Sequence, residues 1–523
     1  MAKNPQRSTG QTGPLLPWLR MWHVALIVAV GVGLVFRDVL LQRAFFWEDF
    51  IYQYYAFRDF AAVSLSQGRI PLWNPYTFNG MPFQADIQTA IFYVPNLLLT
   101  FFVQGDRLGY YWVEFLIVAH FLVAGVAMAY LADELGLERP YALFAGLVYA
   151  LSGFMVTHAI HQTFISQVAW TPLVLLFFRR SLLRRSLGAM ALAALFLALS
   201  ILGGAPQFTL YTFLFLLAYF LFEFIGATRS EGIARSWSMA PIALGVIVLA
   251  IGVTAIQLLP TFELAGLSAR AQITFEKSSE SSLHYTQLLT LLAPKYFGAT
   301  GAQESSYYLA PSAWDYWETC LYVGIPGILS MGAALALIRK ERTVAFLFGT
   351  AAFALLYALG DNFVLHGFFF HFVPGFDKFR IPGRMSFLFT FAASILAAYG
   401  LRWLLTNASP SAFRRYLGVA AGLGIAVFLA AQGGLFQPAG ASPVAIEAHA
   451  TAVRAATGAL LFILAFCALV LLASRRTLPS AAVLSGVLLL QVIDINVFGS
   501  SQNSGSVNPP EFGQYQSVGG EYP

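Results

Sequence analysis

The chain has 523 residues, of which 58% are hydrophobic and only 11% carry a formal charge. Soluble domains carry roughly 25% charged residues, and a single soluble core stops growing near ~250–300 residues. This composition excludes one soluble globular domain and indicates an integral membrane protein. The net charge of +5 comes from cations in short runs between apolar segments. Such runs are typical of membrane orientation signals and not of a nucleic-acid-binding face.

The apolar segments predict an all-α polytopic fold with about 13 transmembrane helices, because a span needs about 20 mostly apolar residues. Backbone polar groups cannot stay unpaired in hydrocarbon, so each span should be helical. Together the spans should form one multi-pass domain over 18–499. The expected positions are 18–36, 110–131, 141–157, 162–178, 187–202, 207–226, 240–260, 319–338, 343–359, 385–406, 416–432, 454–474 and 479–498.

Lys and Arg in the short loops predict the orientation, because short cytoplasmic loops carry an excess of these residues. All the basic loops fall on one side if the spans alternate as predicted. The sequence therefore predicts a cytoplasmic tail at 1–17 and an outer tail at 500–523. The basic runs lie at 179–185, 339–342, 414–415 and 475–476.

Three of the predicted outer segments, at 37–109, 261–318 and 360–384, are too long to be simple connectors. They are rich in aromatic residues, so we expect long structured outer loops. Within the first of them, the segment 91–104 is apolar but short and contains Pro95. We interpret it as an interfacial or re-entrant piece and not as a span.

The first outer loop carries the candidate catalytic carboxylates Glu48 and Asp49. Asp49 and Gln53 are four residues apart and share a face if this segment is helical. A turn-rich stretch with Gly, Pro and Asn follows and includes Gln88. A carboxylate can act as a general base when it lies within ~3 Å of the proton it takes. The sequence thus suggests a base at Glu48 or Asp49, although two solvated surface acids are the simpler explanation.

Two further motifs contribute candidate binding residues. His158 and His161 are spaced i and i+3, which can place two imidazoles on one helix face for metal or phosphate. No third ligand follows from the sequence, so a hydrogen-bonding pair or an ordinary interfacial pair is favoured over a metal site. Gln207 and Tyr211, in GGAPQFTLY at 203–211, share a helix face. A glycine–proline hairpin between two spans explains most of this motif, and a role of Gln207 in lining a polar cavity is the second hypothesis.

Charged residues in the later outer loops complete the candidate set. Lys295 lies in PKYFG, Glu318 in DYWETCLYVG, and Arg380 and Arg384 in PGFDKFRIPGR. An arginine fork matches phosphate oxygens in a bidentate way. We therefore predict that Arg380 and Arg384 bind a phosphate, with snorkelling of their side chains to lipid head groups as the alternative.

These motifs occur in one order along the chain, and the sequence resembles the YfhO-like family of bacterial membrane proteins, which belongs with the GT-C type of polytopic glycosyltransferase. The resemblance implies a GT-C-like fold in the cytoplasmic (inner) membrane, with the catalytic acid at Asp49. The outer His, Gln and Arg positions would line the donor site. The matching stretches are EDFIYQYYAFRDF, GRIPLWNPYTFNGMPF, YALSGFMVTHAIHQ, GGAPQFTLY, PKYFG, WETCLYVG, FRIPGRMSFLFTFAASILAAYGL and VNPPEF.

The sequence departs from the family at two points. Glu48 stands where the family more often has glycine, which leaves the base between Glu48 and Asp49 open. Many members continue into a large outer domain after the last span, whereas this sequence ends at Pro523. The tail at 500–523 would then be the start of such a domain or the end of a short form.

The resemblance implies transfer of a sugar from a polyprenyl-phosphate carrier to a cell-envelope polymer or lipid outside the cytoplasm. No obligatory cofactor is expected, because protein cations can neutralise the single carrier phosphate; a divalent metal stays an alternative. The expected partners are the lipid-linked donor, the envelope acceptor and membrane lipid, without nucleic acid. A flippase or exporter of a lipid-linked or amphipathic solute is the second hypothesis, and a non-catalytic scaffold is the third.

Overall fold

The structure is a computed structural model, which describes Leu16 and residues 18–268, 273–301, 304–308, 315–406, 408–475 and 477–499. The tail predicted at 500–523 and nearly all of the tail predicted at 1–17 lie outside these residues. Both tails therefore stay predictions.

Helices dominate the first half of the chain, and long apolar ones alternate with short amphipathic ones. They are α1 Met21–Val35, α2 Arg37–Leu40, α3 Ala56–Ser66, α4 Val94–Leu97, α5 Tyr110–Glu134, α6 Arg139–Ala150, α7 Gly153–Thr157, α8 Gln162–Val168, α9 Thr171–Arg184, α10 Leu187–Leu202 and α11 Pro206–Glu231.

Helices dominate the second half as well. They are α12 Ile233–Ser236, α13 Met239–Gly266, α14 Phe275–Ser278, α15 Asp315–Glu318, α16 Ile325–Ala333, α17 Arg342–Ala358, α18 Val364–Phe372, α19 Ser386–Thr406, α20 Pro410–Gln432, α21 Pro443–Ser474 and α22 Ser480–Gly499.

The described strands form two small antiparallel hairpins within the loops. Val103–Gln104 (β1) pairs with Arg107–Leu108 (β2), with Val103 opposite Leu108. The second hairpin has Gly298 opposite Tyr307; its strands are β3 Gly298–Gly301 and β4 Glu304–Tyr307.

Among the described residues, eight helices are long and apolar enough to cross a membrane, and four shorter apolar helices accompany them. The predicted all-α polytopic fold is thus confirmed in outline, while the number of about 13 spans stays a prediction. The eight are Tyr110–Glu134, Arg139–Thr157, Pro206–Glu231, Ile233–Gly266, Pro382–Thr406, Ser411–Gln432, Pro443–Ser474 and Ser480–Gly499.

Proline and serine explain where several helices begin. Ser442 caps α21 by accepting a backbone N–H at 3.1 Å, and Pro443 follows in the first turn. Proline is favoured there because its missing N–H needs no partner. Pro172 likewise lies in the first turn of α9 and has no N–H to donate to Val168. The segment 162–178, predicted as one span, is consequently divided between α8 and α9.

Helix α19 lies at the centre of the bundle, packed against α6, α16 and α17. Every residue from Ser386 to Leu401 is buried. A Cβ added at Gly400 would lie 1.7 Å from the Ser330 carbonyl oxygen of α16, so the two backbones approach as closely as small residues allow. This anchored helix holds Arg384, just before its first turn, at one end of the bundle.

The long loops pack together over that end of the bundle. We call the described parts of 37–109, 273–324 and 359–385 the long-loop end. Backbone hydrogen bonds join these loops to one another and to the helices: Ile381 N–H donates to the Ser278 carbonyl at 3.0 Å, and Gly153 N–H to the Tyr322 carbonyl at 2.6 Å. The expected order of the long loops is therefore confirmed for the described residues.

The segment 91–104 belongs to the long-loop end and is not a span. It contains α4, a 3-10 turn at Leu98–Phe102 and β1, none of which approaches the length that a span requires.

Candidate active site

Asp49 is an accessible carboxylate held by a histidine. The chain turns sharply after α1 and α2, and Asp49 precedes a wide helical turn of the π type at Phe50–Tyr55. Its Oδ2 lies 3.3 Å from Nε2 of His161, and 44% of its side chain is exposed, against 6% for His161. The imidazole therefore orients the carboxylate from the protein side and leaves the other side open to a substrate.

The two neighbouring acids have opposite environments. The hydrogen bond from His161 lowers the pKa of Asp49 and outweighs the opposing effect of partial burial. Burial, and then the charge of Asp49, raise the pKa of Glu48. The two acids therefore differ in their surroundings, and of the two it is Asp49 that contacts the histidine.

A second imidazole connects Asp49 to a buried carboxylate. The ring centroids of His158 and His161 are 5.2 Å apart. Nδ1 of His158 lies 2.9 Å from the Phe154 carbonyl oxygen and Nε2 lies 3.5 Å from Oε2 of Glu318. His158 is fully buried, and this burial lowers its pKa. The two histidines are close together but do not lie on one helix face, because His158 follows the end of α7 and His161 precedes α8.

Glu318 and Arg384 form a bidentate ion pair. Arg384 Nε donates to Oε2 at 2.9 Å and Nη2 to Oε1 at 2.5 Å. Burial opposes ionisation of Glu318, but the charge of Arg384 and the contact with His158 hold its pKa well below the usual range. The guanidinium also lies 4.7 Å from the ring centroid of Phe164. The arginine fork is therefore engaged by a carboxylate within the protein.

Gln207 locks this ion pair onto the neighbouring loop. Its Oε1 accepts from Arg384 Nη1 at 3.2 Å, and its Nε2 donates to the Arg380 carbonyl at 2.7 Å. Nε2 also donates to the Tyr211 hydroxyl at 2.8 Å, which confirms that Gln207 and Tyr211 share one face of α11. The turn before α11 depends on Gly204, whose φ is +98°. There the backbone passes so near Ile87 that a Cβ would lie 2.7 Å from its carbonyl oxygen.

Gln53 and Gln88 form part of the first-loop framework. Gln53 Nε2 donates to Gln88 Oε1 at 2.7 Å. Arg58, only 2% exposed, donates to Gln162 Oε1 at 2.8 Å and to the backbone carbonyls of Gln88 and Thr89. The two glutamines thus belong to a rigid wall beside Asp49.

The two remaining candidates lie apart from Asp49. Arg380 extends outward, 41% exposed, and its Nη1 is 3.3 Å from Oε2 of Glu280. Lys295 lines a separate cavity with Glu447 and Arg454. The structure therefore joins six predicted residues in one cluster, places Arg380 at its rim and separates Lys295 from it. The six are Asp49, His158, His161, Gln207, Glu318 and Arg384.

Aromatic rings around the histidines were missed by the sequence analysis. The Trp317 ring centroid lies 5.8 Å from that of His161 and 6.2 Å from that of Trp47. Phe164 stacks on His161 at 5.1 Å. The sequence feature that could have revealed them is their position, because Trp47 directly precedes Glu48 and Trp317 directly precedes Glu318. These rings enclose the imidazole and reduce its access to water.

Among the described residues, no group of three or more His, Cys, Asp or Glu side chains is arranged to hold a metal ion. The contacts of the two histidines are instead with carboxylates, a carbonyl and aromatic rings.

Glu48 has a backbone conformation that favours glycine, with φ at +54°. A non-glycine residue in this left-handed region is strained by about 1 kcal/mol. We therefore expect Glu48→Gly to fold normally and to raise the free energy of unfolding by about 1 kcal/mol. Glu48→Ala removes the same carboxylate but keeps the strain, so it should not stabilise. Thermal unfolding of both variants in detergent tests this, and equal stability of the two would contradict it.

Long apolar helices around a buried central helix, with an accessible carboxylate–imidazole contact at one end, define a polytopic membrane protein with a candidate acid–base site. The model of the family described as bacterial membrane protein YfhO matches residues 90–519, and the chain belongs to that family. The resemblance drawn from the ordered motifs is thus confirmed. No curated protein matches the chain.

The solved structures to which the chain is similar include the following three. Two are crystal structures of ArnT from Cupriavidus metallidurans. The one bound to undecaprenyl phosphate has 16% identity, a TM-score of 0.48 and covers 92% of this chain and 78% of that chain. The apo state has 18% identity, a TM-score of 0.49 and covers 92% and 77%. The cryo-EM structure of the arabinosyltransferase EmbB from Mycobacterium smegmatis has 14% identity, a TM-score of 0.41 and covers 94% and 42%.

Proposed function

We propose that this protein is a membrane glycosyltransferase of the GT-C type. It would move a sugar from a polyprenyl-phosphate carrier to a cell-envelope polymer or lipid. The observation that carries the proposal is the Asp49 carboxylate, whose side chain is 44% exposed and whose Oδ2 lies 3.3 Å from Nε2 of His161. A carboxylate oriented by a buried group and open on one side suits proton abstraction from a hydroxyl.

The reaction needs one base and one stabilised leaving group. The acceptor hydroxyl oxygen forms a bond to the anomeric carbon while the bond between that carbon and the carrier phosphate oxygen breaks. Asp49 takes the hydroxyl proton, and the electron pair of the broken bond leaves with the carrier phosphate. Asp49 can only act in this way as the anion, and its lowered pKa keeps it in that form at neutral pH.

The cations of the 380–384 segment would stabilise the leaving phosphate. Arg380, which is 41% exposed at the rim, would contact it directly in exchange for its present partner Glu280. Arg384 would contribute fixed positive charge from behind, since Glu318 and Gln207 hold its guanidinium. Preorganised charge costs little reorganisation during the reaction. Two protein cations support activity without an obligatory metal, so transfer should persist in EDTA.

The proposal places the long-loop end on the outer face of the cytoplasmic membrane of a bacterium, with the N-terminus inside and the C-terminus outside. The basic segments 179–185 and 339–342 meet at Glu223, which pairs with Arg179 at 2.8 Å and with Arg342 at 2.9 Å. Their common position supports this orientation.

Purified protein in proteoliposomes, supplied with a labelled polyprenyl-phosphate sugar and an envelope-lipid fraction, tests the proposal. We expect label in the acceptor together with an equal amount of free polyprenyl phosphate. Movement of the intact labelled lipid between leaflets without cleavage would instead establish the flippase hypothesis. Transfer that is lost in EDTA and restored by magnesium or manganese would contradict the metal-independent part.

A further inference from the structure

The long-loop end contains a second cavity, of about 540 Å³, which the proposed reaction does not use. Its volume is within the range of small-molecule sites. The segment from Trp317 to Gly324 separates it from Asp49: Glu318 contacts the histidine cluster, whereas Tyr322 lines the cavity. The opposite wall is formed by α21 and α22.

One face of α21 lines the cavity along its whole length. The lining residues are spaced three or four apart, so they lie on one helix face. From Glu447 to Phe462 this face extends roughly 22 Å at 1.5 Å per residue. The residues, in order, are Glu447, Thr451, Arg454, Ala455, Gly458, Ala459 and Phe462.

Polarity changes along this face. At one end, Lys295 and Arg454 bring positive charge, and Arg454 Nη2 is 2.7 Å from Oε1 of Glu447 in an exposed pair. Toward the other end this face of α21 consists of Ala455, Gly458, Ala459 and Phe462. A groove with a charged mouth and an apolar floor matches an amphiphile better than a fully polar solute.

The one buried acid of the groove is already satisfied. Tyr322 hydroxyl donates to Oδ1 of Asp494 and Ile325 N–H donates to Oδ2, both at 2.6 Å. Because both carboxylate oxygens already accept hydrogen bonds, Asp494 is a fixed part of the cavity wall and does not require a cationic ligand. Attraction for a ligand would come from the apolar floor and from Lys295 and Arg454. These cations would exchange part of their present contacts, such as the Arg454–Glu447 pair, for the ligand.

We propose that this groove binds one phosphate-headed lipid. Its phosphate contacts Lys295 and Arg454, and its hydrocarbon chain follows α21 past Gly458 to Phe462. Arginine and lysine at head-group level suit a phosphate, and small residues leave room for a chain. The proposal does not depend on sugar transfer, because it concerns binding alone. A lipid there would contact the segment that carries Glu318 and so lie directly beside the candidate active site.

Gly458 permits a sharp test of the groove. A Cβ added at Gly458 meets no atom within 4 Å, and the same holds for Gly252 on α13. Leucine at either position should therefore be tolerated, but only Gly458→Leu fills the groove. Native mass spectrometry of the full chain in detergent, titrated with dioleoyl phosphatidic acid, should show one bound lipid for wild type and Gly252→Leu. We expect binding at least tenfold weaker for Gly458→Leu.

The head-group contact is tested separately with Arg454→Gln, at a position whose side chain is 64% exposed and tolerant of change. Phosphatidic acid should bind this variant at least fivefold more weakly than it binds the wild type. Dioleoylglycerol, which lacks the phosphate, should bind the wild type at least tenfold more weakly than phosphatidic acid does. Equal binding of dioleoylglycerol, unchanged binding by Gly458→Leu, or displacement of the lipid by inorganic phosphate at equal concentration would overturn the proposal. Each result is independent of whether sugar transfer occurs.

Discussion

Asp49→Asn is expected to lower sugar transfer by roughly 10²–10⁴-fold, the usual contribution of a general base. The amide has nearly the shape of the carboxylate and can keep a contact with His161, but it cannot take the acceptor proton. The protein should reach the membrane in normal amounts. The measurement is transfer of label from a polyprenyl-phosphate sugar at matched protein concentration.

Asp106→Asn is the matched control, because Asp106 is an exposed carboxylate of the same loop outside the cluster. It should leave transfer unchanged.

The pH dependence of kcat/KM distinguishes Asp49 from Glu48 as the base. If Asp49 is the base, activity falls only below the ordinary Asp pKa, since His161 lowers the pKa of Asp49. An acidic limb above the ordinary Glu pKa, with normal activity in Asp49→Asn, would assign the base to Glu48, whose pKa is raised.

Glu318→Gln is expected to destabilise the protein by about 3–5 kcal/mol, because it leaves the charge of Arg384 unpaired in a buried site. The side chains of Glu318 and Arg384 are only 6% and 16% exposed. Thermal or denaturant unfolding in detergent measures the effect. The double change Glu318→Leu with Arg384→Met should cost less than the sum of the single changes, since no charge is left unpaired.

Arg235→Gln is the control for an ordinary ion pair, since its partner Glu231 is one turn away and Arg235 is 75% exposed. It should change stability by less than about 1 kcal/mol.

The pH dependence of stability follows from the depressed pKa of Glu318. Its stabilisation is present above the pKa of an unfolded glutamate and is lost as the pH falls toward the folded value. Equal losses in the free energy of unfolding for Glu318→Gln and Arg235→Gln would contradict a strong, buried Glu318–Arg384 pair.

Much of the site could be recognised from the sequence because its residues stand in ordered motifs. Asp49, His158, His161 and Gln207 were predicted individually, and the structure brings them together. Arg384 was predicted as an open phosphate ligand, whereas its fork is occupied by Glu318, 66 residues away in the chain. Local patterns report secondary structure and exposure, but a partner at that separation depends on how α19 and the 315–324 segment pack.

The apolar groove illustrates the opposite case. Asp494 lies in the last predicted span, and an acid within an apolar span is itself a signal of a functional or structural site. Its partners, Tyr322 and the Ile325 N–H, lie in a different loop, so the sequence showed the acid without its environment. Lys295 was predicted as a substrate-binding residue together with Arg380 and Arg384, because charge alone does not show which outer cations lie near Asp49.

The sequence by itself determined that the chain is a polytopic membrane protein, since composition and local periodicity directly reflect the solvent around each segment. Asp49 was indicated by the family resemblance, with Glu48 left open as the alternative base. Only the tertiary structure decided which cations lie apart from Asp49 and which acids form ion pairs. Charges in low dielectric are stabilised by specific neighbours, and those neighbours come from segments far apart in the chain. Helix α19, in which every residue from Ser386 to Leu401 is buried, also determines where Arg384 meets Glu318.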